Sequence, residues 1–225
     1  RNRVLQLGEP SNNVFNVGAP GVELIKLTRL LSKEEIFKNV GIRLSEKNFI
    51  ITYHPETLNT ELSPSQQINN LLSVLEKYED TNLIFTQANA DPGGQEINDE
   101  ILKFLRKNPN ASLHASLGQE NYLSILNYCE AMIGNSSSAL IEAPSFKLPV
   151  LNIGNRQRAR MRSNNVIDCE NDAFSIRRAL QEVTLMNREL ITNPFDGGET
   201  SMKIVETLEN IDLKDILKKK FNDLL

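Results

Sequence analysis

No stretch of this 225-residue sequence approaches the roughly 18 apolar residues needed to span a membrane. Basic charge is not in excess either. Lys and Arg number 25 against 29 Asp and Glu, a net charge of −4. A polyanion-binding surface is therefore not expected, and neither nucleic acid nor a membrane is an expected partner. Cysteine is scarce: Cys129 and Cys169 have no metal-like spacing. They stand at the ends of apolar segments and read as reduced, buried thiols of a cytoplasmic protein. C-x-x-C and H-x-x-x-H patterns are missing, so no metal site is expected. Walker-type loops and G-x-G-x-x-G are missing too, which weakens ATPase and simple dinucleotide readings. No cofactor is expected. The chain opens Arg-Asn-Arg-Val, without initiator Met or apolar leader, and reads as cut from a longer protein.

What is present is alternation. Short apolar runs at 14–17, 49–53, 83–86, 111–113, 131–133, 150–153 and 166–167 read as strands. Helical periods lie between most of them. Ile68, Leu71, Leu72, Leu75 and Tyr78 share a face after the Ser63-Pro64 start signal. Ile97, Ile101, Leu102, Phe104 and Leu105 form another, Tyr122, Leu123, Ile125, Leu126 and Cys129 a third, and Phe174, Ile176, Ala179, Leu180 and Val183 a fourth. The implied fold class is α/β, a doubly wound parallel sheet. Two amphipathic stretches follow from Ser201, split near Asn210-Ile211-Asp212 with no strand between them.

Ligands of such sheets collect at the carboxyl ends of the strands. The richest of these ends is the segment 134–156, where a strand runs through Gly134-Asn135-Ser136-Ser137 into a helix carrying Glu142 one turn in. Ser136 and Ser137, with free N–H groups and a helix dipole, suit a phosphate; an N-cap without a ligand is the alternative. Glu142 suits ribose hydroxyls. The strand 49–53 ends at His54-Pro55, so His54 is either a proton-handling group or a turn histidine bonded to backbone. Asn89 and Asp91 stand at the next strand end, where local signals favour a plain Asp-Pro-Gly turn. Arg156 follows the strand 150–153, positioned for bidentate contact with phosphate, whereas Arg158 and Arg162 read as solvated.

These segments together resemble the UDP-N-acetylglucosamine 2-epimerases. The resemblance is carried by V-F-N-V-G-A-P-G-V-E (14–23), T-Y-H-P-E-T (52–57), N-A-D-P-G (89–93), M-I-G-N-S-S-S-A-L-I-E-A (132–143) and L-P-V-L-N-I-G-N-R-Q (148–157). It is nearest the hydrolysing branch, whose members usually show Val where this chain has Glu56. The resemblance implies the Rossmann-like C-terminal domain of a GT-B fold. Residues 1–10 would be a remnant of the N-terminal domain's last helix and linker, 11–200 the nucleotide-binding domain, and 201–225 helices that cross back to the missing domain.

The resemblance also implies roles. Ser136 and Ser137 would hold the diphosphate, Glu142 the ribose, and Tyr122 with the backbone near Leu117 the uracil. Arg156 would complete the anion contacts, with Asn89 and Asp91 close to the nucleotide-sugar. His54 would act beside the sugar–phosphate linkage. The implied partners are UDP and UDP-N-acetylglucosamine or a related nucleotide-sugar, the missing N-terminal domain, and further copies of the full-length chain. The implied reaction eliminates UDP to a 2-acetamidoglucal, which is hydrated to N-acetylmannosamine using carboxylates of the missing domain. This chain alone would be inactive. Alternatives are an epimerase acting on UDP- or GDP-N,N'-diacetylbacillosamine, a GT-B glycosyltransferase half, and a non-catalytic sensor or assembly domain.

Overall fold

Burial grades outward across the sheet because a parallel sheet covered on both faces is driest at its centre. The computed structural model describes every residue except 59–60, 215–217, 219–221 and 223–225. In chain order these residues form α1 (Asn2–Gln6), α2 (Pro20–Leu27), α3 (Lys33–Val40), β1 (Asn48–Thr52), α4 (Pro64–Leu75), β2 (Asn82–Thr86), α5 (Gly94–Leu105), β3 (Ala111–His114) and α6 (Gln119–Asn127). There follow β4 (Ala131–Gly134), α7 (Ser138–Ile141), β5 (Val150–Ile153), β6 (Val166–Cys169), α8 (Ala173–Thr184) and α9 (Thr200–Asn210). No described helix is long and apolar enough to cross a membrane.

The six strands pair in parallel in the order β3-β2-β1-β4-β5-β6. Every residue of β1, β4 and β5 is buried, while the edge strands β3 and β6 are partly open. This is the doubly wound, Rossmann-like arrangement expected. The chain order reverses between β1 and β4, which opens a crevice at their carboxyl ends. One face packs Phe49, Ile51, Phe85, Ile133 and Leu151 against Ile68 and Leu71 of α4, Ile97 of α5 and Leu180 of α8. Alternate residues Ile50, Ile84 and Met132 are equally buried on the opposite face.

Local chemistry sets the helix starts. Ser63 and Gln66 form a capping box with Pro64 in the first turn of α4. Ser32 and Glu35 do the same for α3, which stops at Gly41 in the left-handed conformation.

Several expectations need correction. Residues 14–17 form no strand; the Val17 carbonyl instead accepts from Thr200 Oγ1 at 2.9 Å. Tyr78 and Cys129 lie just beyond the ends of α4 and α6. Leu102 and Phe174, expected on buried faces, are exposed. Cys129 is buried, but Cys169 is only partly so; both are free thiols. Burial, the first cause in each case, holds Cys129 well above the usual thiol range and pushes Cys169 up to about 12. The second amphipathic stretch expected after Asn210 falls largely outside the described residues.

The chain divides into two compact units, Arg1–Leu27 with Phe195–Leu225, and Thr28–Pro194. In the first, Glu23 accepts from the Ser201 amide at 3.0 Å and Lys26 pairs with Asp196 at 2.7 Å, tying α2 to the α9 end. The backbones at Gly18 and Gly197 meet so closely that a Cβ on either would collide with the other. The second unit contains the whole sheet and every candidate site residue.

Candidate functional site

Two central strands end side by side at the crevice, and the residue after β4 ties them together. The Asn135 amide donates to the Thr52 carbonyl at 3.1 Å. Its side chain accepts from the His54 amide at 2.7 Å and donates to the His54 carbonyl at 2.8 Å. Asn135 is fully buried, so these bonds form where an unmade one would cost about 1–3 kcal/mol. The preceding Gly134 has φ +128°, and a Cβ there would overlap the Thr52 carbonyl. Glycine at 134 is thus what lets β4 turn away from β1 so close to it. On the other side of β1, Thr52 Oγ1 meets Thr86 Oγ1 at 2.6 Å.

His54 is half-buried at this junction. Its Nδ1 accepts from the Asn89 amide at 3.1 Å, so the ring carries its proton on Nε2 when neutral. Burial, then the Arg156 guanidinium, hold its pKa below the ordinary value, against the opposing pull of Asp91. His114, on Ser112 Oγ at 3.0 Å, is lowered by burial. Both shifts favour the neutral ring in the folded state. Their contribution to stability is therefore present above about pH 6.5 and lost as pH falls through the folded values. Long-range ¹H–¹⁵N spectra should show both rings titrating below about pH 6.5, with His54 as the Nε2–H tautomer at neutral pH. A higher midpoint for His54, or an Nδ1–H tautomer, would overturn this assignment.

Beside His54 lies a cleft of about 430 Å³ whose lining includes Thr52, Thr86, Leu117, Tyr122, Ser136, Ser138 and Glu142. Tyr122 OH and Ser138 Oγ are 2.6 Å apart, and Ser138 Oγ donates in turn to the Glu142 carboxylate. This relay sets the carboxylate's orientation at the cleft wall. Burial holds the Tyr122 hydroxyl protonated well above the usual tyrosine range. Ser136 Oγ accepts from the Ser138 amide at 3.3 Å, within the same turn.

A second cavity of about 670 Å³ adjoins Pro55, with Glu56, Asp91, Arg156 and Arg160 in its lining. Arg156 Nη1 donates to the Asn135 carbonyl at 3.3 Å, and Nη2 lies 3.9 Å from Asp91 Oδ2. Asn89 Nδ2 donates to Asp91 Oδ2 at 2.6 Å.

His54, Leu117, Tyr122, Ser136 and Glu142 therefore meet at one cleft, whereas Asp91 and Arg156 line the neighbouring cavity. Asn89 links the two through His54 and Asp91. Ser137 caps the four residues of α7 without a side-chain cap bond, and Ser138 joins the cleft lining. Glu142 is not inside a helix: it ends α7 and starts a 3-10 turn, because Pro144 cannot continue the helix. Nor is Arg162 merely solvated, since its Nη1 holds Asp168 Oδ1 at 2.6 Å. Sequence reasoning missed the structural parts played by Asn135, Ser138 and Gln157. Gln157 is fully buried, and its Nε2 donates to the Asn135 carbonyl at 2.7 Å. The signal available in the sequence was only its place next to Arg156, just past the apolar run 150–153.

A family model described as UDP-N-acetylglucosamine 2-epimerase matches residues 1–209. Over 100% of its length the chain is 40% identical to a Campylobacter jejuni protein called GDP/UDP-N,N'-diacetylbacillosamine 2-epimerase (hydrolyzing). Over 99% it is 34% identical to the Escherichia coli polysialic acid biosynthesis protein P7. It spans 59% and 56% of these relatives' lengths. Among solved structures, the Methanocaldococcus jannaschii UDP-GlcNAc 2-epimerase in complex with UDP-GlcNAc and UDP shares the fold, with a TM-score of 0.68 at 18% identity. That likeness covers 92% of this chain and 58% of the other.

Proposed function

The chain belongs to the UDP-N-acetylglucosamine 2-epimerase family, and on that premise we propose that it is the nucleotide-binding half of a hydrolysing nucleotide-sugar 2-epimerase. The observation that carries this reading is the cleft at the switch point, where His54, Leu117, Tyr122, Ser136 and Glu142 converge. Leu117 and Tyr122 offer an apolar wall for a base. Glu142, oriented by Ser138, is an acceptor for ribose hydroxyls. Ser136 and Ser137 supply hydroxyls and amides of the turn to the diphosphate, while Arg156, Asn89 and Asp91 flank it. The dipole of α7 adds little, because that helix has only four residues.

In the reaction we assign, a base removes the C2 proton, the C1–O bond breaks, and its electron pair leaves with UDP. The 2-acetamidoglucal then takes a hydroxyl at C1 and a proton at C2, with inversion at C2. A neutral His54 serves this step by directing its Nε2–H at the departing oxygen, a donated hydrogen bond and not a transferred proton. The C2 base and the groups that direct water belong to a part of a longer enzyme outside this chain. By itself the chain binds UDP weakly and turns over nothing.

The family's own description supports UDP-N-acetylglucosamine as substrate. The name of the 40% identical relative supports a second reading, a UDP- or GDP-linked N,N'-diacetylbacillosamine. Assaying the longer protein on these donors decides between them: the true donor yields a free 2-epimeric sugar and the nucleotide with no acceptor present. A glycoside formed only on adding an acceptor would replace the epimerase reading with a glycosyltransferase one. Titration of this chain with UDP should give a Kd near 1 mM, about −4 kcal/mol. Amide shifts confined to residues outside 117–156 would remove the site assignment.

A further inference from the structure

The turn after β5 is built to hold an anion, and it holds one from within the chain. Gly154 takes φ +75°, which brings the Asn155 and Arg156 amides to one side. The Glu56 carboxylate accepts from both: from Asn155, and from Arg156 at 3.0 Å. The carboxylate sits where a side chain at 154 would begin, so a Cβ on Gly154 would collide with it. Glu56 is itself fixed, since its amide donates to Gln67 Oε1 at 3.0 Å. Gln67 is buried and donates from Nε2 to the Leu62 carbonyl at 3.0 Å.

The Arg156 side chain needs such a support. Its own polar contacts, 3.3 Å to the Asn135 carbonyl and 3.9 Å to Asp91, are long. They are weak restraints on a long side chain with many rotamers. Its main chain must therefore be set from elsewhere, and the carboxylate from the loop after β1 does this across 100 residues of sequence.

We propose that Glu56 is a positioning residue: it clamps the turn after β5 so that Arg156 faces the switch-point turn at Asn135. The inference rests on the reading of Arg156 as an anion contact given above. UDP is the probe, and the 225-residue chain is the protein tested. Glu56→Ala should weaken UDP binding about tenfold, while Glu56→Gln, whose amide oxygen accepts from the same two N–H groups, stays within about threefold. Glu56→Asp, one methylene too short to reach both amides, should follow Glu56→Ala and serves if the alanine variant folds poorly. In an Arg156→Ala background the further change Glu56→Ala should alter the Kd by less than about twofold, because the role runs through Arg156. Hydrogen exchange at Asn155 and Arg156 should accelerate in Glu56→Ala and not in Glu56→Gln.

UDP binding as tight as in the unchanged chain, or tighter, would overturn the proposal. So would an equal loss with and without Arg156, or unchanged amide exchange in Glu56→Ala. If the unchanged chain bound no UDP, the nucleotide-site reading itself would fall and this inference with it. A failure of the inference alone leaves UDP binding to the unchanged chain intact.

Discussion

Replacing His54 by Ala in the longer enzyme should lower kcat by about 10²–10³-fold, the loss measured when one preorganised donor to a developing negative charge is removed. The geometry makes a further distinction possible. Nδ1 is committed to the Asn89 amide, and burial and Arg156 disfavour a second proton on the ring. His54 is thus a donor through Nε2–H and a poor source of a proton at neutral pH. Gln at this position keeps an N–H donor close to the Nε2 position and has no titratable proton. His54→Gln should therefore recover to within about tenfold of the unchanged enzyme, while a general-acid role would leave it as impaired as His54→Ala. Steady-state rates of both variants decide this. Unchanged activity in His54→Ala would instead return the residue to a turn histidine and support a non-catalytic role for the domain.

The largest effect on stability is expected from Gly134→Ala. The new Cβ would overlap the Thr52 carbonyl, and φ +128° is a conformation that L residues rarely adopt. Relief by movement is blocked, because Thr52 belongs to the fully buried β1, which is paired on both sides. Overpacking of about 1–3 kcal/mol and backbone strain of about the same size together give a loss of about 2–6 kcal/mol. Against a domain stability of about 5–15 kcal/mol this should appear as a large drop in the urea midpoint. A midpoint within experimental error of the unchanged protein would mean that β4 leaves β1 by another route. Because Asn135 is the next residue, even a folded Gly134→Ala variant should show shifted His54 resonances.

The alternation of apolar runs with helical faces was readable because both periodicities are local. Six of the seven runs became strands, and the Ser63-Pro64 signal marked the start of α4 as expected. The run at 14–17 failed because an apolar segment becomes a strand only where a partner edge is available. The strand–turn pattern at 131–137 opens a helix and places Glu142 one turn into it; the helix instead stops at Glu142, and Pro144 two residues later is the local cue to that break.

The sequence by itself determined the doubly wound class and which residue types would stand at the strand ends, since strand length, helix period and Gly/Pro punctuation are all near-neighbour properties. Its resemblance to a family proposed roles for Ser136, Glu142 and His54 at those ends. Only the tertiary structure decided which strand ends adjoin. It joined Asn135 to His54 across 81 residues, fixed the tautomer of His54 through Asn89, and seated Glu56 on the turn before Arg156. Each of these is a hydrogen bond between loops that meet only because β2, β1, β4 and β5 stand consecutively in the sheet. Hydrogen bonding acts over about 3 Å, and no spacing along the chain encodes which distant loops come within that reach.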